Sequence, residues 1–388
     1  MRIVHTSDWH AGRICWQGRS RLNELVAALD HLARFVETEK IDLLLMTGDV
    51  FDSGAPGADA ERVVFQFLRR IGSAGAKSVV IAGNHDDPAR MEAWATLAEL
   101  VAVQAVARPK KADEGGTLEI TTKSGQKAIV AALPFASVGN LMSAMEVGGD
   151  ETKARLQYAE RFKSMSQSLC ARFRGDAVNL LLAHTHLDGA TLANSERKVH
   201  VSEQWAAAPQ SMPDKAHYVA LGHIHKPQKI AASPVPTYYA GSPLQLDFGE
   251  MGEEKSFVFI EARSGQPAVV RHIPYEGGRQ LREARATLTE LEQRARELGD
   301  SWLRVIVPLE RRDPDLTARV RKLVPDAVVI RSELTEIADS LPPPSIRGAS
   351  PSQRYADYVR ERARTPDPAL LEAFEALRAR CSSEGDEP

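Results

Sequence analysis

Five short clusters of acidic, imidazole and amide side chains follow one another along the chain: Asp8-Trp9-His10, Gly48-Asp49-Val50-Phe51-Asp52, Gly83-Asn84-His85-Asp86, His184, and Gly222-His223-Ile224-His225. Together they hold five of its eleven histidines. Carboxylate, imidazole and amide oxygen donors suit a pair of hard or borderline divalent ions such as manganese, iron or zinc. Ligands two residues apart, as in D-x-H and H-x-H, reach one side only on extended chain, which places these motifs at strand ends or in loops. Two ions about 3.5–4 Å apart repel one another and need an anionic bridge. Asp49, from the central strand of three, is expected to provide it. Such a centre activates water and neutralises phosphate charge, and no serine or cysteine is placed for covalent catalysis. A lone D-x-H is ordinary, and the glycines before Asp49, Asn84 and His223 read as turn chemistry. Five clusters in order, each at the end of an apolar run, predict a site.

Those apolar runs set the framework. Ile3-Val4 and segments 41–46, 78–82, 178–183 and 218–221 read as strands, each ending where a cluster begins. Helical periodicity is expected over 21–39, with Leu22, Leu25, Val26, Leu29, Leu32 and Val36 on one face, and over 59–71, 92–100 and 153–173. The β-α-β-α order implies a largely parallel sheet, whose ligands gather beyond the carboxyl ends of the strands. Further strands are expected over 117–132, 235–240, 257–260 and 268–272. The fold expected for residues 1–274 is a two-sheet α/β/β/α sandwich. Residues 274–279 read as a linker to a small α/β capping domain over 280–335, with a charged helix at 281–298, a strand at 302–307, a helix at 316–323 and a strand at 327–330. Pro342-Pro343-Pro344 marks a second linker. Residues 350–380 read as a helix-loop-helix, with Tyr355, Tyr358 and Val359 on one stripe and Leu370, Leu371, Phe374 and Leu377 on the other. That tail is expected to dock on a partner through its Phe374 face.

With 43% hydrophobic and 26% charged residues over 388 positions, the composition is that of a soluble protein of two or three domains. No run approaches the ~18 apolar residues of a membrane span, and the first residues do not read as a signal peptide. Three scattered cysteines without a C-x-x-C pair exclude a thiolate metal site and fit a reducing cytoplasm. A net charge of −3 gives no bulk attraction to nucleic acid. Local basic residues, with Arg13, Arg19 and Arg21 as candidates, and bound metal would have to supply it.

The ordered motifs D-x-H, G-D-x-x-D, G-N-H-D, H and G-H-x-H resemble the calcineurin-like metallophosphoesterase superfamily. Longer blocks, DWHAGRICWQGRSR from Asp8, GNHDDPARME from Gly83, YVALGHIHKPQ from Tyr218 and YAGSPLQLDF from Tyr239, are similar to a subfamily of DNA nucleases. The similarity spans roughly 1–274 and resumes faintly in the tail. Asp87 departs from it, standing where the subfamily often has serine. The resemblance implies Asp8, His10, Asp49 and His225 at one metal and Asp49, Asn84, His184 and His223 at the other, with Mn(II) as the ion. It favours His184 over His186, because His184 lies five residues before Gly189-Ala190. It makes His85 the catalytic histidine beside the scissile phosphate, with Asp86 orienting it. It further implies a 3′–5′ double-strand exonuclease and structure-specific endonuclease of double-strand break repair and recombination. An ATPase partner subunit and a homodimer within a heterotetramer complete the expectation. Ser53-Gly54-Ala55 after Asp52 replaces the arginine usual in the superfamily's protein phosphatases. A small-molecule metallophosphodiesterase is the alternative. A scaffold that has lost the reaction is disfavoured, since every ligand position is filled.

Overall fold

The strand Leu43–Met46 is apolar at every position because both of its faces are covered. Leu43 and Leu45 point into a core shared with a second sheet, while Leu44 and Met46 point the other way, onto helices. The same alternation separates Ile3 from Val4 and Val79 from Val80. In the computed structural model, which describes residues 1–16, 18–136, 151–193, 195–196, 206–299, 301–334, 350–361 and 368–383, this arrangement extends to two six-stranded sheets packed face to face.

The first sheet runs, in spatial order, Gln266–Pro274, Ser256–Arg263, Arg2–Thr6, Leu43–Met46, Lys77–Ile81 and Val103–Val106. Its last four strands are parallel. The second runs Gln228–Lys229, Thr237–Tyr239, Tyr218–Gly222, Val178–His184, Lys127–Leu133 and Thr117–Thr121, with its four central strands parallel. Helices Leu22–Glu39 and Ala58–Ser73 cover the first sheet, and Glu151–Cys170 covers the second through Phe162 and Leu169. The α/β/β/α sandwich is as expected.

Differences from expectation have local causes. On Leu22–Glu39 the buried stripe is Leu25, Ala28, Leu29, Leu32, Ala33 and Val36, and Val26, rotated onto the flank, is 43% exposed. The helix expected at 92–100 starts earlier, at Pro88, because Asp87 caps it by accepting from the Arg90 amide at 2.7 Å. Aspartate and serine are nearly equivalent caps, which accounts for the departure at that position. Residues 281–298 are not one helix. Leu281–Arg285 is a strand, parallel to Trp302–Leu309, and the helix Leu288–Leu298 begins at a capping box formed by Thr287 and Glu290. With Leu316–Leu323 and Ala327–Leu334, a three-stranded sheet results.

Residues 274–279, read as a linker, are anchored. The Tyr275 hydroxyl meets Thr6 Oγ1 at 2.8 Å, and the Arg279 amide donates to Glu24 at 2.8 Å. Phe248, Leu281, Trp302 and Val328 form a further small core with Trp16 against it. Met1–Val307 and Pro314–Ser332 make one compact unit. Pro308–Asp313 and Glu333–Pro388 make another, whose described helices are Pro351–Glu361 and Pro368–Ser383. Within that pair Tyr355 stacks on Phe374 with ring centroids 4.4 Å apart. Among the described residues no helix is long and apolar enough to cross a membrane.

Candidate metal centre

Where the strands stop, the backbone turns sharply. Asp8, His10, Asp49 and His223 have φ of 52°, 46°, 51° and 102°. Each such conformation costs about 1–3 kcal/mol for a non-glycine residue and persists only where its surroundings enforce it. Here the enforcement is visible: the Asp8 and His10 amides donate to Gly48 and Asp49 carbonyls at 3.0 Å, carrying the ladder past the strand ends. Gly83 and Gly222 do more than turn the chain. A Cβ on Gly83 would overlap the Asp49 carboxylate, and one on Gly222 would overlap the Thr47 carbonyl and Ser7 Oγ. Glycine at these positions permits close packing of the site's own groups.

The five clusters converge. Donor atoms of Asp8, His10 and His225 lie within 4.8 Å of one another, as do those of Asp8, Asp49 and His184. Asp49 Oδ2 is 3.7 Å from His10 Nε2 and 3.6 Å from His184 Nε2, so one carboxylate reaches both groups. Asn84 Oδ1 lies 2.9 Å from His184 Nε2 and 3.0 Å from His223 Nδ1. Asp8 accepts from the His223 amide at 3.0 Å. His186 is more distant, its ring centroid 6.5 Å from that of His223.

The hydrogen-bond chemistry tests whether a cation fits. His184 Nδ1 is 2.8 Å from the Thr47 carbonyl, which can only accept, so Nδ1 carries the hydrogen and Nε2 turns a lone pair toward Asn84 Oδ1. His10 Nδ1 lies 3.4 Å from the Asp52 carboxylate and His225 Nδ1 3.6 Å from that of Glu250. Both histidines therefore turn bare Nε2 atoms toward each other, 3.0 Å apart. Facing lone pairs in a buried site call for a positive charge between them. Burial pushes His10 down to about 4 and lowers His184 and His223, keeping these rings neutral, as ligands must be. Burial also pulls on His225, but Glu250 and Asp8 more than offset it, and its pKa rises. Burial raises Asp8, whereas at Asp49 His184 and His10 outweigh burial and hold the carboxyl below its ordinary range. The donor set fits divalent ions.

His85 lies against this group, its ring edge-to-face with His10 at 4.6 Å. Its partner is not Asp86. His85 Nδ1 donates to the Asp52 backbone carbonyl at 2.7 Å, and its amide donates to Asp49 Oδ1 at 2.8 Å. Asp86 points away and accepts from the amides of Val50, Phe51 and Gly83 at 3.2, 3.0 and 2.8 Å. It braces two of the loops instead of orienting a histidine. Arg21 is also no surface residue: it is 1% exposed, pairs with Glu24 and donates to the Gln245 carbonyl at 2.7 Å. Arg13 donates to Asp52 at 2.9 Å.

Sequence reasoning gave no role to Asp52, although it lies inside a quoted motif. It missed the groups behind His225 altogether. Ser195 Oγ is 2.6 Å from His225 Nδ1, Glu196 accepts the His225 amide at 3.0 Å, and Lys255 Nζ donates to the His225 carbonyl at 2.9 Å. The block beginning at Tyr239 was the available signal, since it leads directly into Glu250.

Residues 1–227 match the calcineurin-like phosphoesterase family, and 278–374 match a domain described as the type 5 capsule protein repressor C-terminal domain. The SbcD subunit of the nuclease SbcCD from Bacillus subtilis is 31% identical over 96% of this chain and 97% of its own length. The proteins of the same name from Rhodobacter capsulatus and Escherichia coli K12 are 30% and 29% identical, over 71% and 70% of this chain and 69% and 68% of theirs.

Proposed function

The chain belongs to the calcineurin-like phosphoesterases and, within them, to the group of the SbcD nucleases, and from that premise we propose a DNA nuclease built around two manganese ions. It is a metal-dependent phosphoesterase of nuclease type. The single observation that carries the two-ion reading is the pair of His10 and His225 lone pairs facing each other at 3.0 Å, with Asp49 reaching from His10 across to His184. Asp8, His10, Asp49 and His225 would hold one ion, and Asp49, Asn84, His184 and His223 the other. A donor set of oxygen and nitrogen without thiolate supports manganese.

When bound, the ions supply charge neutralisation at the phosphate and a water acidic enough to attack near neutral pH. The protein's own part is positioning and proton transfer. Water adds to phosphorus while the bond to the 3′ oxygen breaks, and that oxygen takes a proton. His85 is placed for this, because Nδ1 is committed to the Asp52 carbonyl and Nε2 remains to carry the proton. The turns at Asp8, His10 and Asp49 prepay the ordering of the ligands.

The name shared by the relatives supports nucleic acid as substrate, an SbcC-like ATPase as partner and a place in double-strand break repair. Exonuclease action from the 3′ end, hairpin-type endonuclease action, a homodimer within a heterotetramer and a cytoplasmic location complete the proposal. Exposed Phe65, Leu97 and Leu100 offer an apolar surface for a second copy. In this reading residues 1–274 are the nuclease, 280–335 a cap that contacts DNA, and 350–380 the ATPase-docking tail.

The test is a manganese-dependent cleavage assay on duplex DNA, a phosphoprotein and bis(p-nitrophenyl) phosphate. Cleavage of DNA and of the diester, with the phosphoprotein untouched, is expected. Turnover of the small diester with DNA left intact would favour the small-molecule metallophosphodiesterase.

A further inference from the structure

Behind His225, on the side away from Asp8 and His10, lies a buried ionic cluster that the reaction does not use. Glu250 is wholly buried at the end of the short helical turn Phe248–Glu250. One of its carboxylate oxygens is 3.6 Å from His225 Nδ1 and the other is 2.5 Å from Lys255 Nζ. Lys255 also donates to the Glu253 carboxylate and to the His225 carbonyl, each at 2.9 Å. A buried ion pair contributes little net stability, because desolvation of both charges opposes their attraction. Glu250 and Lys255 hold His225 by side chain and main chain at once, and no other ring nitrogen lies on that carboxylate among the described contacts.

We propose that Glu250 is the positioning residue of His225, a carboxylate that fixes the imidazole tautomer and its aim, with Lys255 setting both the carboxylate and the His225 main chain. The chemistry is that of a carboxylate–histidine–metal relay. An anionic acceptor at Nδ1 keeps the hydrogen there, leaves Nε2 bare and makes it a stronger donor to a cation. Asp52 stands in the same relation to His10, 3.4 Å from its Nδ1. The two imidazoles that face each other are thus each backed by a carboxylate, one recruited from a motif at residue 52 and one from a turn far later in the chain.

The proposal rests on His225 being a ligand, so the experiment separates the two ideas. Manganese binding to the full-length protein is titrated and bound metal is counted, with His225→Ala and Asn84→Ala identifying which binding event belongs to which group. Glu250→Gln keeps an acceptor at Nδ1 but no charge, and it leaves Lys255 a polar neighbour. The double variant Glu250→Leu/Lys255→Met removes both charges and leaves apolar side chains of similar size. Affinity at the event lost in His225→Ala is expected to fall ~10–100-fold in the double variant and less in Glu250→Gln, while the event lost in Asn84→Ala is unchanged. Wild-type affinity at both events in the double variant overturns the proposal. So does an equal loss at both, which would make the cluster a structural brace. Two ions retained by His225→Ala would instead refute the ligand assignment.

Discussion

At Asp49 one carboxylate faces ring nitrogens from both halves of the centre, so its removal and that of Asn84 have different consequences. Asp49→Ala is expected to strip both ions and abolish cleavage. Asn84→Ala is expected to weaken one ion and leave the other, as counted by metal analysis alongside activity. An Asp49→Ala protein that still holds two ions would refute the bridge. His85→Ala should keep both ions and the affinity for DNA while turnover falls ~10²–10⁴-fold, since a proton donor and not a ligand has been lost. Asp86→Ala should do the opposite. Three buried amides, those of Val50, Phe51 and Gly83, would lose their acceptor, at about 1–3 kcal/mol each. Stability in denaturant titration should fall by several kcal/mol. The contrast follows from backbone geometry that motif reading does not contain. Neighbouring residues on extended chain point to opposite sides, so the carboxylate adjacent to His85 in sequence is the one that cannot orient it. Asp52 reaches it through its backbone carbonyl, an atom every residue has, and no residue type could have signalled that contact.

Among the elements, those with clear periodicity were legible and those set by tertiary pairing were not. The strand Leu43–Met46 and the helix Leu22–Glu39 declare themselves by apolar run and apolar stripe. Leu281–Arg285 does not: its sequence LREAR has good helix formers, and it becomes a strand because Trp302–Leu309 pairs with it and because Thr287 starts a helix afresh. The same tertiary hold appears at Glu24. Its carboxylate receives the buried Arg21, the Trp302 indole at 2.8 Å and the Arg279 amide at 2.8 Å, pinning the three-stranded sheet to the helix Leu22–Glu39. Arg279 and Trp302 also stack, with the guanidinium 4.2 Å from the ring centroid. Glu24→Ala leaves Arg21 buried without its counter-ion, an effect of about 3–5 kcal/mol. Its expected signature is faster hydrogen exchange at Leu281–Arg285 with the metal content of the protein unaltered. Exchange unchanged at that strand would show that the small core of Phe248, Leu281, Trp302 and Val328 suffices to hold the sheet.

At the scale of the molecule, the tail shows how a partner surface differs from an internal seam. Helical spacing marks Tyr355 and Phe374 as anchors, and sequence alone assigns Phe374 to the docking face. In the helix pair the two rings stack on each other at an interplanar angle of 5°, so they form the seam that holds Pro351–Glu361 to Pro368–Ser383. The apolar side chains turned outward are Tyr358, Leu370 and Leu377, with Leu377 63% exposed. An unburied apolar set on a helix pair, spaced as i and i+7 on its second helix, suits an apolar groove or coiled coil of a partner. In the proposed assembly that partner is the ATPase subunit. Leu370→Asp with Leu377→Asp would place two unpaired charges in that interface and should weaken association by orders of magnitude. Phe374→Asp should also weaken it, but by opening the seam, and a loss of helical circular dichroism should accompany it. Neither change touches the candidate metal groups of Asp8, Asp49 and their neighbours, so manganese-dependent cleavage of a simple single-stranded substrate should persist in both proteins. Partner binding measured side by side decides the matter. If the double leucine variant binds the ATPase subunit as wild type does, the exposed set is not the docking face, whatever Phe374→Asp does to the helices.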